Sequence, residues 1–171
     1  MKGFDNSTYL TLYIICNVVS LLMLLAAWKT PKLARLLFFL LFAWASYTNS
    51  SLAIRSPQLY LEYADLAFLS FYKQFILGWF SKHITTVVVC IATCQGLIAA
   101  SMLLKGFLFK AAAVGAMLFL MAIAPFGVGS GFPCTVIMAI SLFVLLKNYH
   151  HDFIWKRKSE TSSKRNIKMA T

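Results

Sequence analysis

Residues 84–104, ITTVVVCIATCQGLIAASMLL, run for 21 positions without a formal charge. A helix of that length rises about 31 Å, enough to cross a hydrocarbon core of roughly 30 Å. Lipid offers no partner to backbone N–H and C=O groups, so spanning segments are helices or closed barrels. A barrel strand alternates apolar and polar positions, and this run does not. The chain therefore reads as an all-α integral membrane helical bundle.

Four further segments support that reading. Spans are expected at about 8–28, 33–54, 84–104, 107–126 and 133–148, the last one short. Together they make one transmembrane domain, 1–148. Of the 171 residues, 60% are hydrophobic and 12% charged, about half the charged share of a soluble domain. No cleavable signal peptide is expected, because Lys2, Asp5 and Asn6 precede an apolar run too long for one.

The formal net charge of +11 invites a nucleic-acid reading, and its placement argues against one. Lys29, Lys32 and Arg35 lie between the first two spans, and Lys105 and Lys110 between the third and fourth. Lys147, Lys156, Arg157, Lys158, Lys164, Arg165 and Lys168 follow the fifth. Five spans put all of these on one side and leave Lys2, Arg55, Lys73 and Lys82 on the other. By the positive-inside rule the N-terminus is extracytoplasmic and the C-terminus cytoplasmic, in a plasma or inner membrane if the source is bacterial. The tail 149–171 reads as a basic, disordered cytoplasmic segment. Its Lys156, Arg157 and Lys158 suit anionic lipid headgroups.

Segment 58–82 is amphipathic. On one helix, Phe68, Tyr72, Phe75, Ile76 and Trp79 share a face, and Lys73 falls mid-segment, where a span would place it in lipid. The expectation is a surface helix on the outer leaflet or a cap on the bundle, with a sixth span as the alternative. Asp65 is expected to pair with Arg55 or Lys73.

Polar and small residues mark candidate sites. Gln95 sits near the middle of the third span, beside Ala92, Gly96 and Ala100 at i, i+4, i+8 spacing. Small residues admit a second helix closely, and a buried amide bonds across such an interface. Ala111 and Gly115 give the fourth span a similar step. The same Gln95 is placed to meet a polar headgroup. Cys90 and Cys94 share a helix face and do not form the C-x-x-C of thiol oxidoreductases. The topology admits a Cys90–Cys134 disulfide, beside the plainer reading of these cysteines as packing residues. Residues 124–133, APFGVGSGFP, set three glycines between two prolines. They read as a tight turn, or as a broken helix lining a cavity walled by Phe126 and Phe132. No catalytic triad and no zinc-site spacing is evident.

Arg35 opens the second span, and Ser56-Pro57-Gln58-Leu59-Tyr60 follows it. Gln95-Gly96-Leu97-Ile98 leads to Met102-Leu103-Leu104-Lys105-Gly106, then Lys110-Ala111-Ala112-Ala113 and Gly115. In this order the segments resemble the DoxX-like superfamily of small multi-pass membrane proteins, over about half the chain. Gln95 stands where that family often has a carboxylate. The resemblance implies a four-helix core, to which the first span and the surface helix are additions. It also implies a redox association, with a quinone as cofactor near Gln95, Tyr72 and Trp79. The residues themselves favour a non-catalytic accessory or scaffold subunit with a membrane-protein partner or a second copy of itself. A small-molecule or lipid carrier is the third reading.

Overall fold

A computed structural model describes residues 7–148. The tail from 149, with Lys156, Arg157 and Lys158, and the segment before Ser7 lie outside the described residues. Every regular element among the described residues is a helix, with no strand. The long helices are α1 (Ser7–Lys29), α2 (Pro31–Arg55), α5 (Ile84–Leu103), α6 (Phe107–Ile123) and α7 (Cys134–Lys147). Between α2 and α5 lie a 3-10 turn (Pro57–Glu62), the short α3 (Tyr63–Leu66), α4 (Ser70–Leu77) and a second 3-10 turn (Phe80–Lys82).

Four helices are long and apolar enough to cross a membrane: α1, α2, α5, and α6 with its 3-10 continuation to Ser130. Helix α7 is apolar but has only 14 residues. The chain is thus a multi-pass helical membrane protein. The boundaries have local causes. Pro31 starts α2 at a first-turn position, where its missing N–H costs nothing, with Thr30 alone between it and the end of α1. Gly106, at φ 72°, turns the chain from α5 into α6, a left-handed geometry that glycine adopts without penalty. Pro125 tightens the end of α6 into the 3-10 segment Ala124–Ser130.

The five long helices close into a ring in which α1 packs on α2, α2 on α5, α5 on α6, α6 on α7, and α7 back on α1. Its centre is filled by Phe38, Phe42, Met102, Phe109, Leu142 and Leu145, all fully buried. Helix lips come close where the residues are small: Ala27 and Ala34 at the α1–α2 turn, and Ala112, Ala113 and Ala116 on α6. Large apolar side chains such as Leu22, Trp44, Leu97 and Leu118 face outward. In water such a surface is costly, and in lipid it is at home. One end of the ring carries Lys29, Lys32, Lys105, Lys110 and Lys147 among the described residues. The other carries Arg55, Glu62, Asp65, Lys73 and Lys82.

Two expectations are corrected. Segment 58–82 is not one amphipathic helix. Backbone at Ala67 and Leu69 is extended, and this frees the Phe68 N–H to donate to Pro125 O at 2.9 Å. A tertiary bond thus interrupts the helical period. The second correction concerns Cys134, whose partner is Cys16 on α1 and not Cys90. Cys90 and Cys94 lie on the exposed side of α5 as free thiols. The buried side of that helix is Val88, Ala92, Gln95, Ala99 and Met102.

Candidate functional site

One group of polar side chains inside the spans collects on a single seam. Helices α2 and α5 meet through Ser46 Oγ, which donates to Ala92 O at 2.7 Å, and Thr85 Oγ1, which donates to Ala53 O at 3.1 Å. Between these bonds, Asn49 Nδ2 donates to Gln95 Oε1 at 2.9 Å. Tyr60, on the 3-10 turn above, donates its hydroxyl to Asn49 Oδ1 at 3.0 Å. A phenol and two carboxamides thus form a chain that runs from the Arg55 end of the bundle into its middle. Gln95 is 3% exposed. Burial, with Tyr63 nearby, pushes the Tyr60 phenol up to about 12. It stays a neutral donor.

The small residues divide. Ala92 is fully buried against α2. Gly96 faces Ser46, where a Cβ would come within 3.1 Å of the hydroxyl. Ala100 and Ala111 are exposed, and a Cβ at Gly115 would meet nothing within 4 Å. Within the chain, Ala99 and the Ala112/Ala113/Ala116 set do the packing expected of those three. Beside the seam, an open groove of about 400 Å³ runs along α2 and α5, lined by Phe39, Ser46, Tyr47, Ser50, Gly96 and Ala100.

At the basic end, Arg35 is 3% exposed. Its Nε donates to Met102 O at 3.0 Å, and a second guanidinium nitrogen donates to Leu104 O. The guanidinium carbon stands 4.5 Å above the Phe109 ring. Carbonyls at a helix C-terminus carry the negative end of the helix dipole. Arg35 neutralises that end of α5 and stacks on the start of α6. Sequence reasoning marked Arg35 as a charge between the first two spans and as the opening of the second, and not as a buried partner of the end of α5.

The opposite end is a cap. Tyr63 and Tyr72 pack on Phe126, and Phe68 packs edge-on against Phe132. Tyr72 donates its hydroxyl to Ala122 O at 2.8 Å. Close approach needs the glycines. Gly127 sits at φ 64°, and a Cβ there would lie 2.9 Å from Leu66 O and from the Phe68 ring. At Gly129 it would lie 2.8 Å from the Tyr63 ring. The Gly-rich stretch is therefore a socket for the 63–72 segment, and Phe126 and Phe132 are covered by that segment's own rings. Behind the socket, Gly131 rests against the Cys16–Cys134 bridge and its carbonyl faces Asn17 Nδ2 at 3.5 Å.

Trp79 stacks on Phe75 and on His83, whose Nδ1 lies 3.0 Å from Trp79 O. Gln95 is bonded to α2, Tyr72 to α6, and Trp79 to its own segment. The structure does not join these three in one contact set. Asp65 pairs with Lys73 at 3.1 Å, both well exposed. Among the described residues no group of three or more His, Cys, Asp or Glu side chains is placed to hold a metal ion.

No protein-family model matches the sequence, and no curated protein or solved structure matches it either.

Proposed function

We propose that this membrane bundle is a non-catalytic accessory or scaffold subunit, held in a partner assembly by its lipid-facing helices. One observation carries the proposal. The polar side chains of the α2–α5 seam have partners within the protein: Asn49 with Gln95, Tyr60 with Asn49, Ser46 with the Ala92 carbonyl. A bonded network of this kind holds a helix interface in register.

The quinone reading has less support, because Gln95, Tyr72 and Trp79 engage different elements. The carrier reading has less as well, because the Gly-rich stretch that would open a pathway is filled by Tyr63, Phe68 and Tyr72. For orientation, we infer that the cap faces the extracytoplasmic side. Basic residues gather at the other end, and the Cys16–Cys134 bridge at the cap end suits an oxidising compartment.

The test is purification from native membranes in mild detergent, with mass spectrometry of co-purifying proteins and extracted lipids. A stoichiometric protein partner without quinone is the expected result. Retained stoichiometric quinone would overturn the assignment.

A further inference from the structure

Helix α7 starts well inside the membrane. Cys134 is its first residue, and Cys134 is bridged to Cys16 with the two Cα atoms 6.0 Å apart. Cys16 lies nine residues along α1, about 13 Å from that helix's outer end at 1.5 Å per residue. From Cys16 to Lys29, and from Cys134 to Lys147, the two helices run side by side for thirteen residues, about 20 Å. Lys29 and Lys147 thus finish level with each other at the basic end. A hydrocarbon core of roughly 30 Å measured from that level extends about 10 Å beyond Cys134. Helix tilt only deepens the position of Cys134.

The non-helical backbone that precedes α7 therefore lies at hydrocarbon depth. Irregular backbone survives there only where protein covers it. The cover is the 63–72 segment: its Phe68 N–H meets Pro125 O, its Tyr72 hydroxyl meets Ala122 O, and its rings sit on Phe126 and Phe132. Segments in such contact share a depth. The cap is thus let into the outer leaflet and does not ride above it.

Its outward face fits that location. Leu69, Phe71, Phe75, Leu77 and Trp79 are all exposed, Phe71 at 73%. Aromatic side chains, Trp and Tyr above all, favour the boundary between headgroups and acyl chains. The charged pair Lys73–Asp65 is exposed, and the long Lys73 stem lets its ammonium reach the headgroups.

We propose, on the premise that the long helices cross the membrane, that α4 and its flanks form a lipid-inserted wedge. Phe71, Phe75 and Trp79 contact the acyl chains of the outer leaflet. The occupant of this apolar face is lipid, and not a second protein.

Spin labels decide it. In a background with Cys90→Ala and Cys94→Ala and the Cys16–Cys134 bridge intact, single cysteines are placed at Phe71, Phe75 and Trp79. Leu97, an exposed mid-helix position of α5, serves as the hydrocarbon reference, and Gln58, exposed on the 3-10 turn, as the aqueous one. The labelled protein is reconstituted in phosphatidylcholine liposomes. Accessibility to oxygen and to a water-soluble nickel chelate is read by power saturation. The expected oxygen-to-nickel ratio at Phe71 and Trp79 is several-fold above that at Gln58. A ratio equal to Gln58 would overturn the wedge. So would labels shielded from both reagents, which would mean that protein covers the face. A water-accessible label at Leu97 would instead sink the membrane-spanning premise. The Phe75 label repeats the test if the Phe71 or Trp79 variant loses the bridge.

Discussion

Asn49 on α2 donates its carboxamide N–H to Gln95 Oε1 on α5 at 2.9 Å, the one side-chain to side-chain bond described between two spans that are also joined by Ser46 to Ala92 O and Thr85 to Ala53 O. The bond is worth what the alternatives in lipid allow. Interhelical hydrogen bonds in membranes average about 0.6 kcal/mol and reach about 1.7. Because Gln95 is buried and Asn49 is also bonded by Tyr60, a value near the upper end is expected. Gln95→Leu should lower unfolding free energy by about 1–2 kcal/mol, read by denaturing-detergent titration. A cycle with Asn49→Ala should show coupling between the two sites. Additive effects would mean the bond contributes nothing.

Arg35 should be the most sensitive polar position among the described residues. Arg35→Ala removes donors from two carbonyls at the end of α5 and a cation from the Phe109 face. A loss of about 3 kcal/mol is expected. Arg35→Lys should recover only part of it, since an ammonium does not reproduce a planar fork over a ring. Thermal unfolding of the purified variants measures both, and a full rescue by Lys would count against the stacked geometry.

Two glycines should respond oppositely to alanine. Gly127→Ala meets Leu66 O and Phe68 at a positive φ, so it should unseat the cap and expose 63–79 to protease. Gly115→Ala meets nothing and should stabilise α6 by about 0.5–1 kcal/mol through backbone entropy. Limited proteolysis and melting curves on the pair give the comparison. Equal effects would contradict the socket.

Alkylation of the denatured, unreduced protein should modify two thiols, Cys90 and Cys94, and reduction should raise the number to four. Reduction, or Cys134→Ser, should cost about 2–4 kcal/mol and loosen the cap end. Four thiols reactive before reduction would remove the bridge from the account.

Tyr60 sets an alkaline limit. Burial holds its folded pKa near 12 against 10.0 for a free phenol. Between those values the unfolded chain releases the proton while the folded chain retains it, so stability falls as pH rises from about 10 to about 12. Below pH 10 the group contributes no pH dependence. Tyr60→Phe should flatten the stability profile across that window, and an unchanged slope would assign the effect elsewhere.

What the sequence tells about this fold follows from how local each signal is. Apolar runs are local, and the spans read from them lie within a few residues of α1, α2, α5, α6 and α7. Cys16–Cys134 was not legible, because it depends on the axial register of two helices 118 residues apart. The break at Ala67–Leu69 carries no Gly or Pro; it exists because Phe68 finds Pro125 O, a partner no local pattern names. On α5, the choice between Ala99 and Ala100 as the packed alanine turns on one residue, about 100° of helix rotation. The small-residue motif alone does not fix that rotation. Gln95 was visible as an intramembrane amide, and its pairing with Asn49 needed the register of α2 against α5.

The number and direction of crossings can be measured most directly by labelling from outside. Cysteines are placed at Ser7 and at Asn148, the two ends of the described chain, in the background with Cys90→Ala and Cys94→Ala. An impermeant maleimide applied to intact cells should modify Ser7→Cys at once and Asn148→Cys only after permeabilisation. That result requires an odd number of crossings with the N-terminus outside. Labelling of both sites, or of neither, on intact cells would mean an even number and would contradict the five-helix span. Labelling of Asn148→Cys alone would keep the bundle and reverse it.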